Sequence, residues 1–133
     1  VREGLGLLDV DTRRGPRRAV GEILTRWITP AGADDLLTGF ENHGGYSTLG
    51  SGASPLAKVE VGVGNGYDGF EGAVQGRVIG TYPHGPVLAR NPALADHVLG
   101  LALGRRLDPL DAPAASHAGL RAERAAFVRR AAS

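Results

Sequence analysis

The chain has 133 residues, 42% of them hydrophobic and 22% charged, with a formal net charge of +1. That is enough for one globular domain or part of one, and so even a balance gives no electrostatic reason for a nucleic-acid or anionic-membrane partner. There is no cysteine, which excludes a disulfide framework, a thiolate-bound zinc and an iron–sulfur cluster. No apolar run is long enough to span a bilayer and no signal peptide is read, so the expected location is the cytoplasm. A start at Val1 and the lack of any methionine point to a piece of a longer protein.

Along the chain, residues 20–28 have the β-branched and aromatic content of a strand, entered from a basic turn at Arg13-Arg14-Gly15-Pro16. Residues 36–41 read as a second strand that runs into a turn at Asn42-His43-Gly44-Gly45. Val59, Val61 and Val63 alternate with Glu60 and Gly62, the period-2 mark of a half-buried strand, and Gly64-Asn65-Gly66 then reads as a tight turn with positive φ. Residues 70–74 and 77–82 form a hairpin ending at His84.

Past Pro86 the apolar period changes to that of a helix. Asn91 is expected as its N-cap and Pro92 as its first residue, with Leu94, Val98, Leu101 and Ala102 on the buried stripe. Asp108-Pro109 and Asp111-Ala112-Pro113 break it. Ser116 then caps a last helix carrying Leu120, Phe127 and Val128, flanked by Arg121, Arg124, Arg129 and Arg130. The expectation is an α/β layered sheet with flanking helices and part of the sheet absent, made of a domain over residues 1–107 and a peripheral, helical Arg/Ala-rich tail over 108–133.

The densest chemistry lies at Gly80-Thr81-Tyr82-Pro83-His84-Gly85-Pro86. Val78 and Ile79 read as the end of a buried strand, and Gly85-Pro86 argues against a helix starting at once, so His84 sits in a short stiff loop at a strand's carboxyl end. An imidazole there can activate a thiol or hydroxyl nucleophile; the plainer alternative is a histidine that caps the strand end by hydrogen bonding. Gly39-Phe40-Glu41-Asn42-His43-Gly44-Gly45 brackets a carboxylate, an amide and an imidazole with glycines, and reads equally as a hairpin turn. His43, His84 and Glu41 would suit zinc by ligand type, but no His–Glu helical spacing supports it, so no metal is expected. Gly62 to Gly66 lacks the following helix and the Lys-Ser or Lys-Thr of a phosphate loop, and is read as a turn.

Gly4-Leu5-Gly6-Leu7-Leu8, Leu37-Thr38-Gly39-Phe40-Glu41-Asn42-His43, Gly64-Asn65-Gly66 with Glu71-Gly72, the run from Ile79 to Pro86, and Asn91-Pro92 through Asp96 stand in one order. Together they resemble the cobyric acid synthase-like class of glutamine amidotransferase domains, in particular the glutaminase subunits of lipid II isoglutaminyl synthases. The resemblance spans most of residues 4–103. It implies that glutamine is hydrolysed to glutamate and ammonia by a cysteine thiolate with His84 as base and then acid, and that Glu41, Asn42 and His43 contact substrate. It implies further that ammonia passes to a Mur ligase-like synthetase subunit, which uses ATP and Mg to amidate D-glutamate in lipid II; this chain itself would hold no cofactor. The family's nucleophile and oxyanion backbone lie upstream of Gly4-Leu5-Gly6, so the 133 residues alone are expected to be inactive. Two positions depart from related patterns: Pro86 stands where many amidotransferases of this broad class carry a carboxylate, leaving the third triad member unassigned, and Tyr46 stands where close relatives tend to have Arg. The other readings are the amidotransferase part of a cobyric or cobyrinic acid amide synthase, or an inactive fragment that binds the synthetase.

Overall fold

The computed structural model describes residues 3–28, 36–107 and 114–132, with the side chains of 114–118, 120 and 121 outside the description. It is a mixed α/β structure whose strand pairings are all antiparallel among the described residues. Its spine is the pair β1 (Val10–Trp27) and β2 (Leu36–Leu49), in register from Val10 opposite Leu49 to Arg26 opposite Leu36. β3 (Ala57–Val61) lies against β1 and the short β4 (Phe70–Glu71) against β3, so the sheet runs β2-β1-β3-β4. β5 (Ala73–Gln75) and β6 (Val78–Gly80) make a separate hairpin, as the sequence suggested for this region.

Two expected turns are instead strand. Arg13 pairs with Tyr46 and Arg14 with Gly45, then the register slips until Ala19 meets His43, so Gly15 to Arg18 stand opposite Gly44 alone. Turn-forming residues become a bulge when the ladder resumes on both sides of them. Of the glycines expected to turn the chain at 44–45, Gly45 serves close packing: a Cβ there would lie 2.9 Å from Thr12 Cγ2 and 3.0 Å from the Tyr82 hydroxyl, whereas a Cβ on Gly44 would meet nothing within 4 Å. The Gly64-Asn65-Gly66 turn is found as expected, with Gly64 at φ 61° and no space for a side chain, since its Cβ would fall 2.3 Å from the Phe70 carbonyl oxygen.

Alternation along β1 and β2 divides the core. One face carries Trp27, Leu37, Leu56, Ala57 and Leu94, with Val74, Ile79, Val87, Ala93 and Val98 packed against them. The other carries Leu24 against Ala125 and Val128, flanked by Leu36 and Val61. α3 (Ala114–Ala131) is thus docked on the sheet through Ala125 and Val128, while Phe127, expected on its apolar side, is 58% exposed. Arg129 and Arg26 flank Glu60, and the Arg129 guanidinium holds that carboxyl below its ordinary range. The expected cap Ser116 and Leu120 have side chains outside the description, as do the breaks at 108–113.

α1 (Val87–Arg90) is a single turn that begins directly after Pro86. This corrects the expectation that Gly85-Pro86 would prevent an immediate helix, because a missing N–H costs nothing ahead of the first turn. α2 (Pro92–Leu103) starts at the expected proline and closes on Gly104 in the left-handed region, φ 68°, ahead of the breaks expected at 108–113. Asn91 makes no side-chain cap bond. Its amide is spent on the outer edge of β2: Oδ1 accepts from Thr38 N at 2.8 Å, and Nδ2 donates to Thr38 O at 2.9 Å and Val87 O at 2.6 Å. Edge-strand groups buried under a helix start need partners more than a helix N-terminus capped by proline does. Asn91→Ala is therefore expected to cost about 3 kcal/mol in urea unfolding, because it strands the buried N–H and C=O of Thr38 and the part-buried Val87 carbonyl.

Candidate functional site

β6 ends at Gly80, and Thr81 to Pro83 carry the chain to His84. The strand is less buried than expected, with Val78 36% exposed. His84 is fixed through its backbone: His84 N donates to Phe40 O at 2.7 Å and Phe40 N to His84 O at 3.4 Å, an antiparallel bridge on the free edge of β2. The preceding Pro83 rests on Gly39, where a Cβ would come within 2.5 Å of the proline Cβ. Gly85, in the left-handed region at φ 57°, then turns the chain into α1. Opposed residues of an antiparallel pair project to one side, so the exposed His84 imidazole shares a face with Phe40 and Asn42.

The Glu41-Asn42-His43 run is divided by the same alternation. Asn42 is exposed, and Arg18 holds it, Nε donating to Oδ1 at 2.7 Å and Nη2 to the Asn42 carbonyl at 3.2 Å. Glu41 and His43 point inward and are buried. Glu41 accepts from Val63 N at 2.8 Å and Gly64 N at 3.1 Å, so its oxygens clamp the glycine turn. His43 Nδ1 donates to Gly45 O at 2.8 Å, and the ring stacks on Tyr82 with centroids 3.8 Å apart. Its Nε2 lies 3.6 Å from Glu41 Oε2, beyond hydrogen-bond distance. The register thus puts His84 on the same face of β2 as Asn42, away from Glu41 and His43, and the three residues weighed as zinc ligands do not converge.

One buried acid was quoted in the resemblance, beside Gly72, without being given a role. Glu71, fully buried, places Oε1 where it accepts from Thr81 Oγ1 at 2.8 Å and from Tyr82 N at 2.9 Å, and its Oε2 has no partner. Gly72 beside it is at φ 68°, where a Cβ would collide with the Gly80 carbonyl oxygen at 2.7 Å. Asn65 fixes the same turn, its Oδ1 accepting from Gly72 N at 2.9 Å and its Nδ2 donating to Gly72 O at 3.0 Å. The signal available in sequence was only the adjacency of Glu71 to Gly72; Arg18, too, lay among several similar arginines. Burial pushes the Glu71 carboxyl up from 4.5 to about 7, against the bonds from Tyr82 and Thr81 and helped by the Glu41 charge. The unfolded chain releases this proton near 4.5 while the fold keeps it to about 7, so stability falls as pH rises between those values and levels off above them. Thermal or urea melts should show the wild type losing roughly 2–3 kcal/mol relative to Glu71→Gln between about pH 5 and about pH 8.

Compared with known proteins, residues 1–92 match the family model of the CobB/CobQ-like glutamine amidotransferase domain. The lipid II isoglutaminyl synthase (glutamine-hydrolysing) subunit GatD of Staphylococcus aureus is 36% identical over 112 residues, covering 82% of this chain and 43% of that protein. The subunit of the same name from Streptococcus pneumoniae is 36% identical over 106 residues, 78% of this chain and 40% of the relative. A probable cobyric acid synthase of Methanosphaera stadtmanae is 39% identical over 89 residues, 62% of this chain and 18% of the relative. The chain therefore spans less than half the length of these curated relatives. With residues 1–92 of the 133 matched, this protein belongs to the CobB/CobQ-like glutamine amidotransferase domain family.

Proposed function

We propose that this chain is the histidine-bearing part of a glutaminase subunit that delivers ammonia to a Mur ligase-like synthetase, for amidation of D-glutamate in lipid II in the cytoplasm. The observation that carries the reading is the presentation of His84: its backbone is fixed on Phe40 while its imidazole is exposed beside Asn42. A cysteine thiolate attacks the glutamine side-chain carbonyl, forming a γ-glutamyl thioester. His84 takes the thiol proton and returns it to the departing ammonia, then takes a proton from the water that releases glutamate. Asn42, steadied by Arg18, is the substrate contact of the motif; Glu41 and His43, inward and bonded, shape its strand. The 133 residues contain no cysteine, so the thiol has to come from polypeptide outside them. ATP and Mg are the synthetase's reagents. Among the described residues no helix is long and apolar enough to cross a membrane, which is compatible with an acceptor reached from the aqueous side.

The isoglutaminyl synthase subunits align at 36% identity over 82% and 78% of the chain, and cobyric acid synthases at 33% to 39% over 62% to 77%, so the acceptor is decided by the amidation assay. The 133-residue polypeptide is expected to leave glutamine intact. Joined behind the upstream part of the Staphylococcus aureus relative, it should release ammonia, and His84→Ala should cut kcat by about 10³-fold or more. Glutamine turnover by the 133 residues alone, or a His84→Ala enzyme at full rate, would overturn the reading. Amidation of lipid II with a Mur ligase-like partner, against amidation of a corrinoid, decides between the two acceptors, and neither with tight partner binding marks an inactive binding fragment.

A further inference from the structure

Glu71 lies two elements away from the reacting face, yet both donors on its Oε1 belong to the segment that delivers His84. Thr81 and Tyr82 are the third and second residues before the histidine, and nothing else among the hydrogen bonds of the described residues ties the Thr81 side chain or the Tyr82 N–H. The acid is itself rigidly held: it is fully buried, Leu56 N donates to its carbonyl at 3.1 Å, and the following Gly72 is locked by Asn65 from both sides. At the far end of the segment the Phe40 bridge holds His84, and in the middle Tyr82 stacks on His43 while its hydroxyl lies 2.9 Å from Ser47 Oγ. Without the Glu71 anchor the segment would keep the His84 bridge, the packing of Pro83 on Gly39 and the ring and hydroxyl contacts of Tyr82, but the part-buried Tyr82 N–H and the Thr81 hydroxyl would lose their acceptor.

We infer that Glu71 is a positioning residue for His84, its Oε1 acting as the acceptor that clamps Thr81 and Tyr82 and so sets the height and direction at which the imidazole stands on β2. The role needs an acceptor oxygen rather than a charge, which separates it from a carboxylate that would contact the imidazole directly. It rests on the glutaminase reading for its catalytic consequence but not for its structural content, and the two are tested apart.

The structural test is amide hydrogen exchange of the 133-residue chain by NMR, comparing wild type with Glu71→Gln, Glu71→Met and Thr81→Val. Glu71→Met, which keeps the length and apolar fit but removes the acceptor, should speed exchange at Tyr82 and His84 about tenfold or more, while Thr25 in the β1–β2 pair and Thr38, bonded to the Asn91 side chain, keep their protection. Thr81→Val should give a smaller change at the same two amides, and Glu71→Gln should behave as wild type. Unaltered exchange at Tyr82 and His84 in Glu71→Met overturns the inference, as does an equal loss of protection at Thr25 and Thr38, which would make the acid a general stabiliser. Should Glu71→Met not fold, Thr81→Val decides by the same readout. In the joined enzyme described above, Glu71→Met should lower kcat about tenfold or more with KM for glutamine within about twofold, and Glu71→Gln should restore it. A raised KM with unchanged kcat would overturn the positioning role, whereas a wild-type joined enzyme without any glutaminase activity would sink the functional reading and leave the exchange result to decide this one.

Discussion

The free edge of β2 is the constraint on which the rest depends. A strand at the end of a sheet leaves alternate N–H and C=O groups unpaired, and here those of Thr38 and Phe40 are met by two different devices. The Asn91 side chain imitates a neighbouring strand at Thr38, and the backbone of His84 supplies one at Phe40. The same bonds that quench the edge bring the start of α2 against Leu37 and place the histidine at a fixed height along β2. Edge protection and placement of the candidate site are therefore one structural solution, in which the edge groups most in need of partners fix where His84 and the start of α2 stand.

A second layer of order comes from period-2 alternation acting on a polar motif. Glu41 and His43 would be costly to bury singly, and backbone meets them: two N–H groups of the glycine turn bind the carboxylate, while the imidazole has one carbonyl at Nδ1 and the face of Tyr82, its Nε2 being without a hydrogen-bond partner. Asn42, between them, stays on the wet side with Arg18 and His84. The interior thus spends polar side chains on shaping loops, while the exterior keeps them available. Glu71 belongs to the first group, yet it acts on the segment that serves the second.

How much of this was legible depended on whether a residue's partner was local. Pro92 marked the helix start correctly because the rule concerns one residue's own geometry, and Gly64-Asn65-Gly66 marked its turn for the same reason. Asn91 was placed correctly but given the wrong partner, since its true one is Thr38, far away in sequence. Gly44-Gly45 looked like a turn because nothing in the chain announces that Thr12 and Tyr82 will crowd against Gly45. The loop position of His84 was readable from the glycines and prolines around it, whereas Glu71, quoted with Gly72 in the resemblance, carried no sign that the fold would close over it.

The bulge of Gly15 to Arg18 opposite Gly44 has a bearing on how this scaffold can change over time. Because it already absorbs surplus chain in one strand, gains or losses of length there can be taken up locally, with Ala19 still meeting His43. The five residues from Gly39 to His43 have no such slack: removing Gly39 or Phe40 would turn Glu41 and His43 outward and Asn42 inward relative to the strand before them, exchanging the buried polar groups for the exposed one. Insertions and deletions in descendants of this sequence should therefore accumulate on the β1 side of the ribbon and be purged from the β2 side, a boundary only a few residues wide between permissive and forbidden chain length.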